Sequence, residues 1–183
     1  MHRASGFRTS LFLSIFTFAL ATVASLPPLE TVAHVDLNRY KGLWHEIARL
    51  PMERQKDCIR SQAEYIQGAK GEIMVKNRCS LADGSIKEVT GLTRIEDKVS
   101  FAKLKVNFVP AWLRFLGVGW GNYWIIDLDP EYQFAVVSEP KREYLWILSR
   151  TPGLSKEIYD GIIERIKQKG FDTSKLIVSG EIN

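Results

Sequence analysis

Short apolar or alternating stretches follow one another along most of the chain, with turn residues between them. They predict eight strands, at residues 44–50, 59–66, 73–79, 86–95, 99–108, 123–128, 134–138 and 144–149. The segments 82–84, 96–97, 129–130 and 139–141 supply the turn sequences. Eight short strands at regular spacing favour a closed antiparallel barrel or a sandwich, and therefore an all-β protein.

A helical period replaces this pattern near the C-terminus. Four isoleucines share one stripe at helical spacing: Ile158, Ile162, Ile163 and Ile166. Ser155 is a suitable N-cap and Gly170 a suitable end. The pattern predicts one helix, with its apolar stripe toward the strands, followed by a brief strand at residues 176–178.

The first 24 residues have the composition of a secretory signal peptide. A basic start is followed by an apolar run at residues 11–20 and then by small residues. The alternatives are a membrane anchor or a buried helix, but the run is short for a membrane span. We expect a signal peptide at 1–24, an extension at 25–35, and one domain at 36–183. No cysteine precedes Cys58, so we expect a periplasmic or secreted protein, associated at most peripherally with the outer membrane, without a lipid anchor.

Charge gives no support for a nucleic-acid partner. The chain of 183 residues has a formal net charge of +4, and Arg3 and Arg8 of the signal segment contribute two of those charges. The remaining excess is small and forms no basic stripe. The hydrophobic content of 45% is too high for a disordered chain.

The two cysteines fall on either side of a predicted hairpin. Folding the chain about residues 68 and 69 pairs positions whose numbers sum to about 137, which places Cys58 opposite Cys79 or one residue away. Neighbours at that separation can form a disulfide, and export would supply the oxidising compartment. A metal site is the rival interpretation, but two cysteines without nearby histidines make a poor ligand set. We therefore predict a structural disulfide and no metal site.

No arrangement of residues indicates catalysis or a cofactor. The three histidines lack zinc-site spacing, and the sequence contains no nucleophile elbow, P-loop or dinucleotide motif. Asp127 and Asp129 could form a carboxylate pair, but an aspartate that caps the turn before Tyr132 is the better interpretation. No catalytic residue is predicted.

Three motifs carry a resemblance to a known family. Gly42-Leu43-Trp44 opens the first strand, Asp129-Pro130-Glu131-Tyr132 follows the sixth, and Trp146-Ile147-Leu148-Ser149-Arg150-Thr151-Pro152 closes the eighth. In this order and spacing the chain resembles the lipocalins, and most closely the bacterial outer-membrane lipocalins and apolipoprotein D. The similarity extends from about Asp36 to Ile177.

The resemblance implies an eight-stranded up-and-down barrel with the C-terminal helix packed on its wall. It makes Gly42, Trp44, Asp129 and Arg150 structural residues. In lipocalins the tryptophan plugs the closed end of the barrel, and the arginine packs across its ring. Such a cation–π contact contributes about 0.5–2 kcal/mol.

The resemblance also implies a small apolar ligand, such as a fatty acid or lysophospholipid, held inside the barrel for membrane lipid maintenance. Strand alternation gives the following candidate wall residues: Tyr65, Leu104, Val106, Tyr123, Ile125, Trp146 and Leu148. Packing without ligand contact is the alternative for each, and it prevails near the closed end. Arg78 or Arg94 could meet a phosphate or carboxylate near the open end. A homodimer is implied only by similarity.

The connection between the fifth and sixth predicted strands, residues 108–121, is unusually apolar. Loops are normally polar and exposed. Trp112 and Phe115 either fold back over the rim, form a dimer contact, or face a membrane beside the open mouth. The best interpretation of the whole chain is a non-enzymatic lipid carrier. The alternatives are an enzyme on a lipocalin barrel and a haem or pigment binder.

Overall fold

The computed structural model describes residues 26–68 and 72–183. The proposed signal peptide at 1–24 lies outside these residues. Eight strands form the barrel: β1 (Gly42–Arg49), β2 (Arg60–Gln67), β3 (Ile73–Ser80), β4 (Ile86–Ile95), β5 (Lys103–Asn107), β6 (Trp120–Leu128), β7 (Phe134–Ser138) and β8 (Leu145–Ser149).

Each of these strands pairs antiparallel with the next, and β1 also pairs with β8. This last pairing closes the sheet into an up-and-down barrel, as expected from the sequence. The turn joining β7 to β8 and the first residues of β6 lie at one end. The start of β1 and the end of β8 lie at the other, which is closed by the short helix α1 (Leu37–Tyr40).

Two strand boundaries differ from the prediction by three residues or more. Strand β5 begins at Lys103 rather than at residue 99, because Asp97 organises a turn there: its carboxylate accepts hydrogen bonds from the Val99 amide and the Ser100 hydroxyl. Val99 is consequently 86% exposed. Strand β6 begins at Trp120, so the apolar connection before it is shorter than predicted.

The predicted C-terminal helix is α2 (Lys156–Gln168), and the Ser155 side chain accepts a hydrogen bond from the Ile158 amide at its start. Ile162 and Ile166 are fully buried against the outer wall of the barrel, whereas Ile158 is 42% exposed, so its place in the buried stripe was wrong. Within the two described ranges, no helix is both long and apolar enough to cross a membrane.

Short elements complete the fold. The brief strand predicted at residues 176–178 is β10 (Ile177–Val178), which pairs with β1. Two further short strands were not predicted: β9 (Gly153–Leu154) and β11 (Glu181–Ile182), which pair in parallel. Three 3-10 turns lie in connections: Glu53–Gln55, Ala111–Leu116 and Thr173–Lys175.

Cys58 and Cys79 form the predicted disulfide, with their Cα atoms 5.3 Å apart. The predicted register was wrong by about three residues, because Cys79 pairs across the hairpin with Ser61. Cys58 lies in the β1–β2 loop, before the start of β2, and is bonded from there to Cys79 on β3. The bond therefore fastens this loop to the barrel instead of joining two opposed strand positions.

The buried apolar residues form two groups on opposite faces of the barrel wall. The inner cluster, centred on Trp44 and Leu104, fills the closed half of the barrel. The outer cluster lies between the wall and α2 and includes Ile47 and Ile162. Residues 26–35 extend over this surface, so that Leu29 joins the outer cluster and Val35 the inner one.

Candidate functional site

The closed end of the barrel is sealed by Trp44 and Arg150. Trp44 is completely buried, and the guanidinium carbon of Arg150 lies 3.8 Å from the centre of its ring system. Arg150 donates from Nη1 to the Leu43 carbonyl at 2.9 Å and from Nη2 to the Arg39 carbonyl at 2.6 Å. The indole Nε1 donates to the Tyr40 carbonyl at 2.8 Å. Polar groups of the seal thus bond to backbone that is itself fixed.

The glycine and aspartate of the sequence motifs have local backbone roles. Gly42 has a φ of +96°, and a Cβ atom there would lie 3.4 Å from Nη1 of Arg150, so a side chain would strain the backbone beside the seal. The Asp129 carboxylate accepts the amide hydrogens of Glu131 and Gln133, as a turn aspartate does. Asp127 instead pairs with Arg165 of α2 at 2.7 Å, so the two aspartates share no site.

The seven candidate wall residues all belong to, or pack against, the inner cluster: Tyr65, Leu104, Val106, Tyr123, Ile125, Trp146 and Leu148. Five of them are buried, while Val106 and Trp146 remain partly accessible. The two partly accessible residues lie nearer the open end. Their contact with a ligand remains a prediction.

Three buried tyrosines form the base of the interior. The Tyr40 and Tyr123 hydroxyls are 2.8 Å apart, and the Tyr65 hydroxyl donates to Tyr123 at 2.6 Å. Burial raises the pKa of all three phenols, and well above the ordinary value for Tyr40 and Tyr123. They therefore stay protonated at every physiological pH.

Toward the open end the inward side chains become smaller, and this half of the interior is called the hollow below. On β2, the next inward-facing residue after Tyr65 in the direction of the open end is Ala63. On β6, the next inward-facing residue after Tyr123 in the same direction is Gly121. A Cβ atom on Gly121 would meet nothing nearer than 3.9 Å. Farther toward the open end, Val89 pairs with Asn77, which lies two residues from Val75 of the inner cluster. Strand alternation therefore turns Val89 inward, and Val89 is 45% exposed. Small side chains and solvent access thus make the open half accessible to a ligand.

A polar network at the mouth fixes Trp146. Its indole Nε1 donates to the side-chain Oε1 of Gln55, in the β1–β2 loop, at 2.9 Å. The Gln55 amide nitrogen in turn donates to Glu46 at 2.9 Å and to Ser61 at 3.2 Å. Arg49 completes the network, since its Nη1 lies 2.6 Å from Glu46 and both side chains are almost fully buried.

This network was not predicted from the sequence. Arg49 also donates to the Gln55 and Cys58 carbonyls, so it and the disulfide hold the β1–β2 loop over the mouth together. Glu46 and Arg49, three residues apart in an apolar strand, were the available signal. A bulge in β1 between Glu46 and Ala48 turns both side chains inward, and the sequence gives no sign of that bulge.

The two arginines considered for an anionic headgroup lie elsewhere. Arg78 alternates with the inward Val75 and pairs on the outer surface with Glu88 at 2.9 Å. Arg94 lies over the outward ring of Trp120 at 4.9 Å, on the part of β4 near the closed end. The expectation that either meets a ligand at the open mouth was wrong, because strand alternation points both outward.

The apolar β5–β6 connection lies at the open end. The Asn107 side chain joins the two ends of this connection. Its Nδ2 donates to the Val118 carbonyl at 2.9 Å, and its Oδ1 accepts from the Val109 amide at 2.8 Å. Trp112 is 72% exposed and Phe115 is 81% exposed, so neither folds back over the rim of the described barrel. A membrane or protein contact remains the prediction for these residues.

Comparison with known proteins identifies relatives along nearly the whole barrel. A family model described as a lipocalin-like domain matches residues 35–181. The chain is 38% identical to temperature-induced lipocalin-1 of Arabidopsis thaliana over 151 residues, covering 81% of this chain and 80% of the plant protein. It is 36% identical to the outer membrane lipoprotein Blc of Vibrio cholerae over 171 residues, covering 92% and 96% of the two chains.

A solved structure has the same fold. Insecticyanin from the tobacco hornworm Manduca sexta superposes with a TM-score of 0.67 at 23% identity, over 87% of each chain. At this identity the likeness concerns the fold alone. The resemblance read from the three sequence motifs, including that to the bacterial outer-membrane branch, is confirmed.

Proposed function

Because this chain belongs to the lipocalin family, whose members bind small hydrophobic ligands and are generally not enzymes, we propose that it carries single lipid molecules in the open half of its barrel. Fatty acids and lysophospholipids are the proposed ligands, taken up and released without chemical change. The proposed role is the maintenance of membrane lipids.

One observation supports this proposal above all: the interior is sealed at one end and lined by small or partly accessible side chains at the other. Trp44 and the tyrosine base are buried, whereas Val89 and Trp146 face inward and remain accessible. An eight-stranded barrel is wide enough to hold one small ligand. An acyl chain would gain about 25 cal/mol for each Å² of apolar surface that it buries.

We further propose that the open end contacts a membrane when lipid is exchanged. Exposed apolar side chains of connections and of one strand end lie at this end of the barrel: Ile59, Ile86, Trp112, Phe115, Leu116 and Val118. Tryptophan and phenylalanine partition favourably into membrane interfaces. A lipid entering through this mouth would then leave the bilayer directly into the barrel.

Export of the chain fits this role. The Cys58–Cys79 disulfide is suited to an oxidising compartment, and residues 1–24 have the composition of a signal peptide. We propose a periplasmic or secreted protein that meets the membrane peripherally. One relative is named as an outer membrane lipoprotein.

Identification of the bound molecule tests the carrier function. We expect mass spectrometry of the organic extract from purified protein to recover a lipid in a ratio near one per barrel. A titration with that lipid should change the fluorescence of Trp146 in a variant whose other tryptophans are phenylalanine. Recovery of no lipid and no change in emission would contradict the proposal. A visible absorbance band would indicate a pigment or haem instead, and a chemically altered lipid after incubation would indicate an enzyme.

The membrane contact is tested by Trp112→Ser combined with Phe115→Ser. We expect slower lipid transfer to and from vesicles, with the affinity for a free fatty acid nearly unchanged. Val99→Ser is the matched control, because Val99 is 86% exposed but lies at the closed end. Equal transfer rates for both variants and the wild type would contradict membrane docking. A dimeric wild type that becomes monomeric with transfer intact would assign the residues to self-association.

A further inference from the structure

The tyrosine base holds one more hydrogen-bond donor than its own bonds use. Tyr40, Tyr65 and Tyr123 carry three hydroxyl protons, and two hydrogen bonds join them in a chain through Tyr123. Tyr65 donates to Tyr123, so its proton is used. The proton of either Tyr123 or Tyr40 lies in the other bond, and the remaining one meets no acceptor among residues 26–68 and 72–183.

A buried donor without an acceptor is unfavourable by about 1–3 kcal/mol. All three side chains are buried inside the barrel. Their rings pack against one another, with Tyr65 5.3 Å from Tyr40 and 5.9 Å from Tyr123 between ring centres. The hydroxyls are thus held together by packing, and the spare proton cannot be satisfied by a rotation of one ring to the surface.

The spare donor borders the hollow on the side of Tyr123. Tyr123 retains 8% exposure, and the next inward positions above Tyr123 and Tyr65 are the small residues Gly121 and Ala63. The nearest atom to a Cβ built on Gly121 would be 3.9 Å away, in Val106. The deep end of a ligand in the hollow can therefore approach this donor.

The chemistry of the base favours an uncharged acceptor. It offers a single donor from phenols that burial keeps protonated by raising each pKa. The nearest cation, Arg150, interacts electrostatically with Tyr40, but its guanidinium lies over the Trp44 ring and already donates to backbone carbonyls. Glu46 and Arg49, the buried charges nearer the mouth, pair with each other at 2.6 Å. A carboxylate at the base would lack a countercharge, whereas a hydroxyl or carbonyl oxygen needs only the one donor.

Resting on the lipid-binding function proposed above, we propose that the tyrosine base recognises one uncharged oxygen atom at the deep end of the ligand. The ligand class is a long-chain lipid that bears a hydroxyl or carbonyl group near the end of its chain. The opposite, more polar end of such a lipid would lie at the mouth, beside Trp146.

Pairs of fatty acids that differ only by a terminal hydroxyl test this recognition. Dodecanoic to octadecanoic acids and their terminally hydroxylated counterparts would compete with N-phenyl-1-naphthylamine for the purified wild-type protein. We expect the hydroxylated acid to bind about tenfold tighter, relative to its plain partner, in the wild type than in the triple variant Tyr40→Phe, Tyr65→Phe and Tyr123→Phe. The triple variant leaves an apolar base of nearly the same shape.

Tyr159→Phe is the matched control, because Tyr159 packs against the outer cluster, away from the barrel interior. It should keep the preference that the triple variant loses. As a measurement that needs no variant, the C=O stretching band of a bound terminal-oxo acid should shift to lower frequency in the wild type.

Three outcomes separate this proposal from the general one. A lost preference in the triple variant together with the carbonyl shift supports recognition of the oxygen. Equal affinities for both acids in the wild type, with no carbonyl shift, overturn it while leaving lipid binding intact, and would assign the spare proton to an ordered water. Failure of every acid to displace the reporter overturns the lipid-binding proposal itself.

Discussion

The two ends of the barrel each hold an inward tryptophan, but they hold it in different ways. At the closed end, Trp44 donates to the Tyr40 carbonyl and lies beneath Arg150, whose own donors bond to backbone. At the open end, Trp146 donates to the side chain of Gln55 and stacks on Tyr144, with ring centres 6.1 Å apart. Backbone partners make the first site rigid, whereas the second depends on a loop.

This difference distinguishes residues that determine stability from residues that determine ligand exchange. A side chain fixed by backbone carbonyls cannot move without unfolding its neighbours. A side chain fixed by a loop amide can change partner when the loop moves, at the expense of one hydrogen bond of about 0.5–1.5 kcal/mol. We therefore expect substitutions at the closed end to affect unfolding, and substitutions at the mouth to affect ligand exchange.

The largest expected effect is that of Trp44→Ala. Truncating a fully buried tryptophan removes its packing and leaves Arg150 without its aromatic partner, which should lower the free energy of unfolding by about 3–5 kcal/mol. Trp146→Ala should lower it by less, since Trp146 is only partly buried, while weakening lipid binding more. Urea unfolding and lipid titration of both variants measure the difference. Equal destabilisation by the two variants would refute the contrast between the ends.

Arg49→Met is the next largest perturbation, and it tests whether the mouth also contains a rigid part. It leaves the buried Glu46 carboxylate without its cation, which typically lowers stability by about 3–5 kcal/mol. Combining it with Glu46→Leu should recover much of the loss, because no uncompensated charge then remains. Chemical denaturation of the single and double variants provides the comparison. A double variant less stable than Arg49→Met would show that the network, and not the ion pair, dominates.

Removal of the disulfide should have an intermediate effect of about 3 kcal/mol. Cys58 and Cys79 are separated by 21 residues, and a bond closing a loop of this order stabilises by roughly that amount in the chain-entropy description. Cys58→Ala with Cys79→Ala should also raise the exchange rate of amide hydrogens in the β1–β2 loop, without affecting those at the closed end. Hydrogen exchange followed by mass spectrometry measures both regions. Uniform deprotection of the whole barrel would contradict a local tether.

The smallest effect concerns the tyrosine base and appears only at alkaline pH. Burial raises the pKa of Tyr40, Tyr65 and Tyr123, so the folded state holds these protons more tightly than the unfolded state. Their contribution to stability is full below about pH 10, the unfolded phenol value, and declines as the pH rises above it. Changing all three to phenylalanine should flatten the alkaline limb of a stability–pH curve. An unchanged limb would exclude these tyrosines as its cause.

Period-two alternation explains why the inward positions were predictable. Once β2 and β6 were identified, Tyr65, Tyr123 and Ile125 had to share the inner face, and they do. The start of β5 was predicted wrongly for a local reason, since hydrogen bonds from Val99 and Ser100 to the Asp97 carboxylate form a turn that hydrophobic patterning does not reveal.

The mouth was beyond prediction for a different reason. Glu46, Arg49 and Gln55 meet only because β1 contains a bulge and the following loop returns over the barrel. Both features depend on tertiary packing, so neither has a periodic signature in the sequence. The spare phenol proton likewise becomes visible only when three tyrosines from distant segments are counted together.

The pairing of β10 with β1 has a consequence for protein synthesis. The pairing of β2 with β1 ends at His45, and β10 pairs with the same edge of β1 farther along, at Ala48 and Arg49. Because β10 follows all eight barrel strands in the chain, a nascent polypeptide leaves this sheet edge uncovered until all eight have been synthesised. Uncovered edges are templates for intermolecular strand pairing. Pairing of β10 with β1 therefore protects this edge against intermolecular association once the barrel strands are in place.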